Sequence, residues 1–205
     1  MKVVIVDYGA GNVVSVSKAL RHVGASVLLS EDPAVVRGAD ALVFPGQGHF
    51  GQAMDRLSAS GMDRALLAAI DSGTPFLGIC LGLQLLFEGS DEAPGVAGLG
   101  AIRGYCRRFD DNVNVPQIGW NAVDTIVTET PLDAVASGEY FYFVHSYHAV
   151  CDDLTALAAS SQHGGRFCAA VARNNVFATQ FHPEKSGTAG LKVLQEFVAN
   201  AAAVA

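Results

Sequence analysis

The sequence predicts an α/β protein with a mixed, mostly parallel central sheet, helices on both faces of the sheet and an antiparallel extension. Over the first ninety residues, short runs rich in Val and Ile alternate with helical patterns, as they do in βαβ units. From residue 98 to residue 181 the apolar runs are separated by turn residues instead, which is typical of antiparallel strands. Hydrophobic residues make up 50% of the chain and charged residues 16%, which suits a sheet covered on both sides.

The parallel part of the sheet is predicted from short apolar runs that are rich in β-branched side chains and bounded by turn residues. The predicted strands cover residues 3–6, 25–29, 41–44 and 76–79. Between them, apolar residues recur with the period of an amphipathic helix. The predicted helices cover residues 14–23 and 62–70.

The antiparallel part is predicted from further apolar runs that end at turn residues. These strands cover residues 100–109, 121–127, 140–150, 157–160, 167–172 and 176–181. A last helix is predicted over residues 188–201, because apolar residues from Leu191 to Ala201 recur on one side. Since no linker, repeat or low-complexity tract interrupts the pattern, we expect a single domain over residues 1–205.

Charge and composition exclude several classes of protein. The chain has 13 Lys and Arg residues against 20 Asp and Glu residues, a net charge of −7, which is the wrong sign for a nucleic-acid partner. The first apolar run is too short for a signal peptide, and the longest apolar stretch, residues 75–87, is shorter than the roughly 20 residues that span a bilayer. We therefore expect a cytoplasmic protein with no membrane association. Its 4 cysteines include no CxxC pair, so we expect free thiols.

A Gly-x-Cys-x-Gly pattern centred on Cys80 ends the predicted strand 76–79, and helical spacing of apolar residues continues to Phe87. Glycines on either side, Gly78 and Gly82, allow a strand to turn sharply into a helix without a Cβ clash. Such a nucleophile elbow presents its central side chain at a helix N-terminus, where a thiolate is favoured. We predict that Cys80 is a nucleophile; a small buried cysteine of the core is the alternative.

His182 and Glu184 follow the last predicted strand, with Pro183 between them. In an extended chain residues i and i+2 point the same way, so we expect both side chains to leave the sheet on one face. A carboxylate that accepts one ring N–H holds the imidazole in one tautomer and leaves the other ring nitrogen to exchange a proton with a thiol. The pattern thus predicts a catalytic triad of Cys80, His182 and Glu184.

Attack of a thiol on a carbonyl carbon creates an oxyanion, and residues 45–48 after the third predicted strand are suited to bind it. Glycines there allow backbone N–H groups to point into a site with no side chain in the way. We predict that the N–H groups of Gly46 and Leu81 form the oxyanion hole. Gln84 lies one helical turn after Cys80, so its amide is expected to reach a polar substrate held at the thiol.

His145 and His148 lie three residues apart in the predicted strand 140–150. Because side chains alternate along a strand, we expect the two rings to face opposite sides of the sheet and not to hold a metal ion together. The sequence predicts no metal site and no cofactor.

Three motifs resemble those of the class-I glutamine amidotransferases. They are PGQG at 45–48, GICLGLQ at 78–84 and HPE at 182–184. Three shorter motifs resemble, more narrowly, those of the glutaminase subunits of imidazole glycerol phosphate synthases in histidine biosynthesis. They are DYGAGN at 7–12, PQIGWN at 116–121 and FVHSY at 143–147. The resemblance extends over residues 3–197, nearly the whole chain.

The resemblance implies a flavodoxin-like fold and the hydrolysis of L-glutamine to L-glutamate and ammonia without a cofactor. It gives the triad and the oxyanion-hole residues the same roles as above. It further implies that Gln84 and the backbone of Ser146 and Tyr147 hold the glutamine.

The resemblance also implies a partner, a (βα)8-barrel cyclase that forms a heterodimer with the chain and uses the ammonia to make imidazole glycerol phosphate and aminoimidazole carboxamide ribotide. The face with Asn12 and Trp120 is expected to lie near this partner. Two alternatives remain open at this point. The chain could be the glutaminase subunit of another synthase, for anthranilate, purines or pyridoxal phosphate, or a non-catalytic domain of the same fold that binds a partner.

Overall fold

The structure, a computed structural model, describes residues 1–9 and 11–204. In this part of the chain the strands are β1 (Lys2–Val6), β2 (Ser26–Ser30), β3 (Ala41–Gly46), β4 (Phe76–Cys80), β5 (Gly104–Arg108), β6 (Gln117–Thr125), β7 (Glu139–His145), β8 (Tyr147–Cys151), β9 (Leu157–Gln162), β10 (Arg166–Arg173) and β11 (Val176–Thr179). The helices are α1 (Val13–His22), α2 (Pro33–Arg37), α3 (Phe50–Ser60), α4 (Met62–Asp71), α5 (Leu81–Gln84) and α6 (Gly187–Val204). Among the described residues, no helix has both the length and the apolar character needed to cross a membrane.

One large sheet runs through the molecule, with its strands in the order β2-β1-β3-β4-β11-β10-β9-β6-β7. The strands from β2 to β11 run parallel to their neighbours. From β11 onward the pairs β11-β10, β10-β9, β9-β6 and β6-β7 are antiparallel. This topology confirms the predicted fold class, a parallel sheet with an antiparallel extension.

Helices cover both faces of the sheet because its central strands are apolar on both sides. In β1, Val4 and Val6 pack into one core, together with residues of α3 and α4. The intervening Val3 and Ile5 pack into a second core, together with residues of α1 and α6. Since side chains alternate along a strand, a continuous apolar run supplies both cores at once.

The predicted strand 140–150 is wrong as a single element, because the chain breaks at Ser146. Its first part, β7, is the edge strand of the large sheet, and its second part, β8, pairs with β5 in a separate two-stranded ribbon. The break is stabilised locally. His145 donates Nδ1–H to the carbonyl oxygen of Tyr147 at 2.8 Å, and the Ser146 carbonyl oxygen accepts the N–H of Phe109 at 3.1 Å.

Two helices, α2 and α3, are absent from the prediction. In α3 the buried apolar residues Phe50, Ala53, Met54 and Leu57 recur at the spacing of an amphipathic helix, so the sequence carries a signal for it. The boundaries of the other elements differ from the prediction by a few residues, as is usual at helix and strand ends.

The carboxyl ends of β1, β3, β4 and β11 meet at one edge of the sheet because these strands are parallel. Gly46 at the end of β3 lies opposite Cys80 at the end of β4 in the strand register. Ligand sites of open α/β sheets lie at this edge. The topology therefore brings the predicted site residues to the same end of the molecule.

Candidate active site

Cys80 lies at the turn between β4 and α5, with φ 56° and ψ −110°. A positive φ is strained for a residue with a side chain, and such strain is often found at functional positions. The flanking glycines are required by close contacts. A Cβ atom on Gly82 would lie 1.9 Å from the carbonyl oxygen of Phe44, and one on Gly78 would lie 2.9 Å from the Cβ of Ala178.

The helix after Cys80 is much shorter than the predicted helical pattern up to Phe87. It ends at Gln84, so it is a single turn. A single turn has a weak dipole, and we therefore do not attribute the reactivity of the thiol to the helix.

His182 and Glu184 form a buried pair in which Nδ1 of the ring lies 2.8 Å from Oε1 of the carboxylate. The predicted extended geometry is wrong, because β11 ends at Thr179 and Pro183–Lys185 form a 3-10 turn. The turn brings the two side chains together instead. The backbone of His182 is held by the carbonyl oxygen of Tyr142, which accepts its N–H at 2.9 Å.

The proton on His182 is stabilised by its neighbours. Burial alone lowers the pKa of His182, but the adjacent Cys80 and Glu184 outweigh burial and raise the pKa to about 10. His182 Nε2 is buried, and the thiol of Cys80 is its only polar neighbour among the residues that the structure describes. At neutral pH the ring therefore carries a proton on the side that faces the thiol.

Gln84 is buried, and the N–H groups of its amide are held by the protein. Its Nε2 donates to the carbonyl oxygen of Tyr147 at 2.8 Å and to Oε1 of Gln180 at 3.0 Å. Both of its N–H groups are thus engaged within the protein, and only its amide oxygen is left for a substrate.

Gln180 is a functional candidate that the sequence analysis missed. Its side chain is completely buried, and its Nε2 lies 3.7 Å from the sulfur of Cys80. A polar residue within the apolar run 176–181, two positions before His182, was the available signal.

Gly46 lies against the elbow, where a Cβ atom would approach the Leu81 Cβ, the Gly82 nitrogen and the Tyr8 hydroxyl to 2.8 Å each. Only glycine fits this close contact between β3 and the elbow. Gly46 itself does not line the cavity above Cys80, whereas Leu81 does. The neighbouring Gln47 and Gly48 form that part of the wall.

A cavity of about 400 Å³ opens above Cys80, a size typical of sites for small molecules. It is lined by Gln47, Gly48, Cys80, Leu81, Gln84, Glu92, Pro116, Val144, His145, Ser146, Tyr147, His182 and Lys185. The predicted substrate residues Gln84, Ser146 and Tyr147 therefore share one cavity with Cys80 and His182. Glu92 and Lys185, which the sequence analysis missed, add one charge of each sign and suit a zwitterionic ligand.

His145 and His148 pack against the same ring, that of Phe109, with centroid distances of 5.2 and 4.7 Å. The prediction that they face opposite sides is wrong, because the break at Ser146 reverses the alternation. Burial lowers the pKa of His145 to about 3, so its ring is neutral. Across the described residues, no group of three or more His, Cys, Asp or Glu side chains is placed to hold a metal ion.

The two residues predicted at a partner interface lie on different elements. Asn12 caps α1, where its Oδ1 accepts the N–H of Ser15 at 3.4 Å. Trp120 on β6 is 52% exposed and its ring lies 6.2 Å from that of Tyr142. Ala10, within the same motif as Asn12, lies outside the described residues.

Comparison with known proteins agrees with this geometry. The family model of the class-I glutamine amidotransferases matches residues 4–201. The imidazole glycerol phosphate synthase subunit HisH of Syntrophotalea carbinolica is 48% identical over 202 residues, which is 95% of this chain and 98% of that protein. A chloroplastic protein of Arabidopsis thaliana, imidazole glycerol phosphate synthase hisHF, is 47% identical over 96% of this chain but only 34% of its own length.

A solved structure supports the fold. PurLQS from Thermotoga maritima superposes with a TM-score of 0.74 and 19% identity, over 97% of this chain and 98% of that chain. At this identity the likeness concerns the fold alone.

Proposed function

Because the chain belongs to the class-I glutamine amidotransferases, we propose that Cys80, His182 and Glu184 hydrolyse the side-chain amide of L-glutamine. The chain is a glutaminase subunit of imidazole glycerol phosphate synthase, since it is 46–48% identical to several HisH subunits over nearly their whole length. This identity favours imidazole glycerol phosphate synthase over the synthases for anthranilate, purines or pyridoxal phosphate that the sequence analysis left open. One domain, residues 1–205, carries the activity.

In the first step the thiolate of Cys80 attacks the amide carbon of glutamine. His182 gives its Nε2 proton to the amide nitrogen, the C–N bond breaks, and ammonia leaves. The product is a thioester between Cys80 and the glutamyl group. Glu184 holds the ring at Nδ1 throughout, so that Nε2 faces the reacting atoms.

In the second step water attacks the thioester. The neutral His182 takes a proton from the water, the C–S bond breaks, and glutamate is released with Cys80 again a thiolate. The N–H group of Leu81, which lines the cavity, stabilises the oxyanion in both steps, and one such donor is typically worth about 3 kcal/mol of the barrier. Gly46, the second predicted donor, packs against Leu81 but does not line the cavity, so its N–H contributes only if the 45–48 segment moves.

The substrate is recognised as a zwitterion. Glu92 and Lys185 both line the cavity and carry opposite charges. The Glu92 carboxylate suits the ammonium group of an amino acid, and the Lys185 ammonium suits its carboxylate. The Gln84 amide oxygen and the backbone of Ser146 and Tyr147 complete the polar lining. Because Oε2 of Glu92 also accepts the N–H of Phe50 at 2.7 Å, its carboxylate is held in place by the start of α3.

One observation carries this proposal, the buried His182–Glu184 pair next to a cysteine in a strained elbow. The test is glutamate release from glutamine by the chain together with its cyclase partner. We expect the Cys80→Ser variant to lose at least about 1,000-fold in kcat, because a serine hydroxyl at this position is hardly ionised. The control is Cys151→Ser, which changes a cysteine outside the cavity. Comparable activity of the Cys80→Ser variant and the unchanged protein would refute the proposal.

The partner is a cyclase with a (βα)8 barrel, joined to this chain as a heterodimer. The Arabidopsis relative supports it, since about a third of that longer protein corresponds to this chain and its name is that of the synthase rather than a subunit. We place the docking face around Trp120 and Asn12. Lys185 connects this face to the cavity. It lines the cavity, and its Nζ lies 5.8 Å from the centre of the Tyr142 ring, which Trp120 contacts.

The reduced state of Cys80 that this chemistry requires suits the cytoplasm, where thiols are kept free.

A further inference from the structure

Gln180 lies between the end of β11 and the His182–Glu184 pair. Its backbone N–H donates to the carbonyl oxygen of Ala169 at 2.8 Å, so the residue continues the sheet pairing after β11. Its side chain is 0% exposed and extends to the elbow, where it contacts both Gln84 and Cys80. It does not line the cavity that holds the substrate.

The orientation of the Gln180 amide follows from a chain of hydrogen bonds. The carbonyl oxygen of Tyr147 can only accept, so the atom of Gln84 that lies 2.8 Å from it is the amide nitrogen. That nitrogen directs its second N–H at Gln180, which must therefore present its oxygen, Oε1, to Gln84 at 3.0 Å. The remaining atom, Nε2 of Gln180, faces the sulfur of Cys80 at 3.7 Å.

A hydrogen bond from Gln180 to the sulfur, in addition to the one from the His182 ring, stabilises the site most when the sulfur is charged. A thiolate accepts hydrogen bonds more strongly than a thiol or a thioester, because its charge is concentrated on one atom. An N–H that faces the sulfur therefore stabilises the attacking state and the leaving group of the second step more than the acyl-enzyme. The thiol form has an alternative, since the S–H group can donate to the carbonyl oxygen of Val144 at 4.0 Å.

We propose that Gln180 is a catalytic residue that donates an Nε2–H to the Cys80 thiolate, so that the sulfur is held between this amide and the His182 ring. The inference rests on the proposed function, in which Cys80 is the nucleophile. Gln84 and the Tyr147 carbonyl act as positioning groups for Gln180, because they determine which end of its amide faces the sulfur.

The first test replaces the donor and follows the thiol directly. In Gln180→Met the side chain keeps a similar length but has no N–H group, and in Gln180→Glu an oxygen takes the place of Nε2. We expect the pH profile of Cys80 alkylation by iodoacetamide to move about one unit to higher pH in both variants. We expect kcat for glutamine hydrolysis in the complex to fall about 10- to 100-fold with KM changed less than about threefold, since Gln180 is outside the cavity.

The matched control is Gln117→Glu, because Gln117 is also a buried glutamine but its side-chain amide makes no hydrogen bond to any described residue, Cys80 included. It should leave the alkylation profile in place. Alkylation profiles of the Gln180 variants that coincide with that of the unchanged protein would overturn the proposal, even if kcat fell, because a purely structural role would have that result.

A measurement on the unchanged protein covers the case in which the Gln180 variants fail to fold. The side-chain NH2 resonances of Gln180 should titrate together with Cys80 and lose this titration once Cys80 is alkylated. Resonances that do not respond to pH or to alkylation would overturn the proposal. The proposed glutaminase function is tested separately by the Cys80→Ser variant, so a failure of one inference is distinguishable from a failure of the other.

Discussion

Two buried histidines of this protein have opposite protonation states, and their neighbours explain the difference. His182 gains its proton from contact with Cys80 and Glu184, which outweigh burial and raise its pKa to about 10. No acidic group among the described residues raises the pKa of His145; burial dominates and lowers this pKa to about 3, although its Nδ1 donates to the Tyr147 carbonyl oxygen. The same residue type thus supplies a proton donor at the thiol and a neutral support for the Ser146–Tyr147 segment.

The neutral state of His145 predicts a pH dependence of stability. In the unfolded chain a histidine binds a proton below about pH 6.5, whereas folded His145 does so only near pH 3. The unfolded state therefore binds more protons between these values, and the stability present above pH 6.5 is lost as the pH falls. Between pH 7 and pH 5 the loss from this group is about 2 kcal/mol.

The His145→Gln variant, which cannot titrate, should lose correspondingly less unfolding free energy between pH 7 and pH 5 in urea titrations. The control is His22→Gln, since His22 is an exposed histidine at the end of α1. It should leave the pH dependence as in the unchanged protein. Equal acid sensitivity of the His145→Gln variant and the unchanged protein would contradict the prediction.

Residues of the site differ in how far the sequence indicates them. Cys80, with its flanking glycines, and the His182–Glu184 pair are local patterns, so a short stretch of sequence suffices to propose them. Gln180 has a weak signal as a polar residue in an apolar run, but the fold alone connects it to the thiol, and Glu92 becomes a candidate only because it lines the cavity. The Gln180 amide meets a thiol 100 positions away, and no spacing rule connects the two.

Among the elements, the turn from β4 to α5 is the one whose geometry the sequence predicts most directly. Glycine at positions 78 and 82 indicates a crowded strand-to-helix turn, and the contacts of both residues agree with that expectation. The break between β7 and β8 has no such signal. It is stabilised by hydrogen bonds of His145 and Ser146, in a stretch whose apolar pattern is that of one continuous strand.

The crowding at the elbow predicts a large effect of a single methyl group. In Gly82→Ala the new Cβ would lie 1.9 Å from the carbonyl oxygen of Phe44, so β3 and the elbow must move apart. We expect a loss of about 3 kcal/mol in unfolding free energy, measured by urea titration. Gly165→Ala is the matched control, because nothing lies within 4 Å of its Cβ position, and it should stay within about 0.5 kcal/mol of the unchanged protein. Similar stabilities of the two variants would refute the crowding argument.

At the scale of the whole molecule, the order of strands determines which residues come together in the site. β11 lies beside β4 although about a hundred residues separate them in the sequence, and this places His182 next to Cys80. The class of fold follows from apolar periodicity, which is local. The strand order does not, because pairing between distant strands depends on packing that a single sequence does not display.

The same order places Trp120 near one edge of the sheet and Leu28, on β2, at the opposite edge. Both are exposed apolar side chains, but only Trp120 is connected to the cavity, through Tyr142 and Lys185. If the cyclase covers the mouth of the cavity, as ammonia transfer requires, Trp120 becomes buried on docking. A large aromatic residue in the centre of an interface commonly contributes much of the binding energy.

We therefore expect Trp120→Ala to raise the Kd of the complex about tenfold or more, measured by titration calorimetry, and Leu28→Ala to leave it within about twofold. The unchanged protein offers an independent readout, because Trp120 is its only tryptophan. Its emission, after subtraction of the partner's own spectrum, should shift to shorter wavelength as the complex forms. An unshifted emission together with an unchanged Kd for Trp120→Ala would place the docking face elsewhere, and the path of ammonia out of the cavity would then have to avoid the Tyr142–Lys185 side of its mouth.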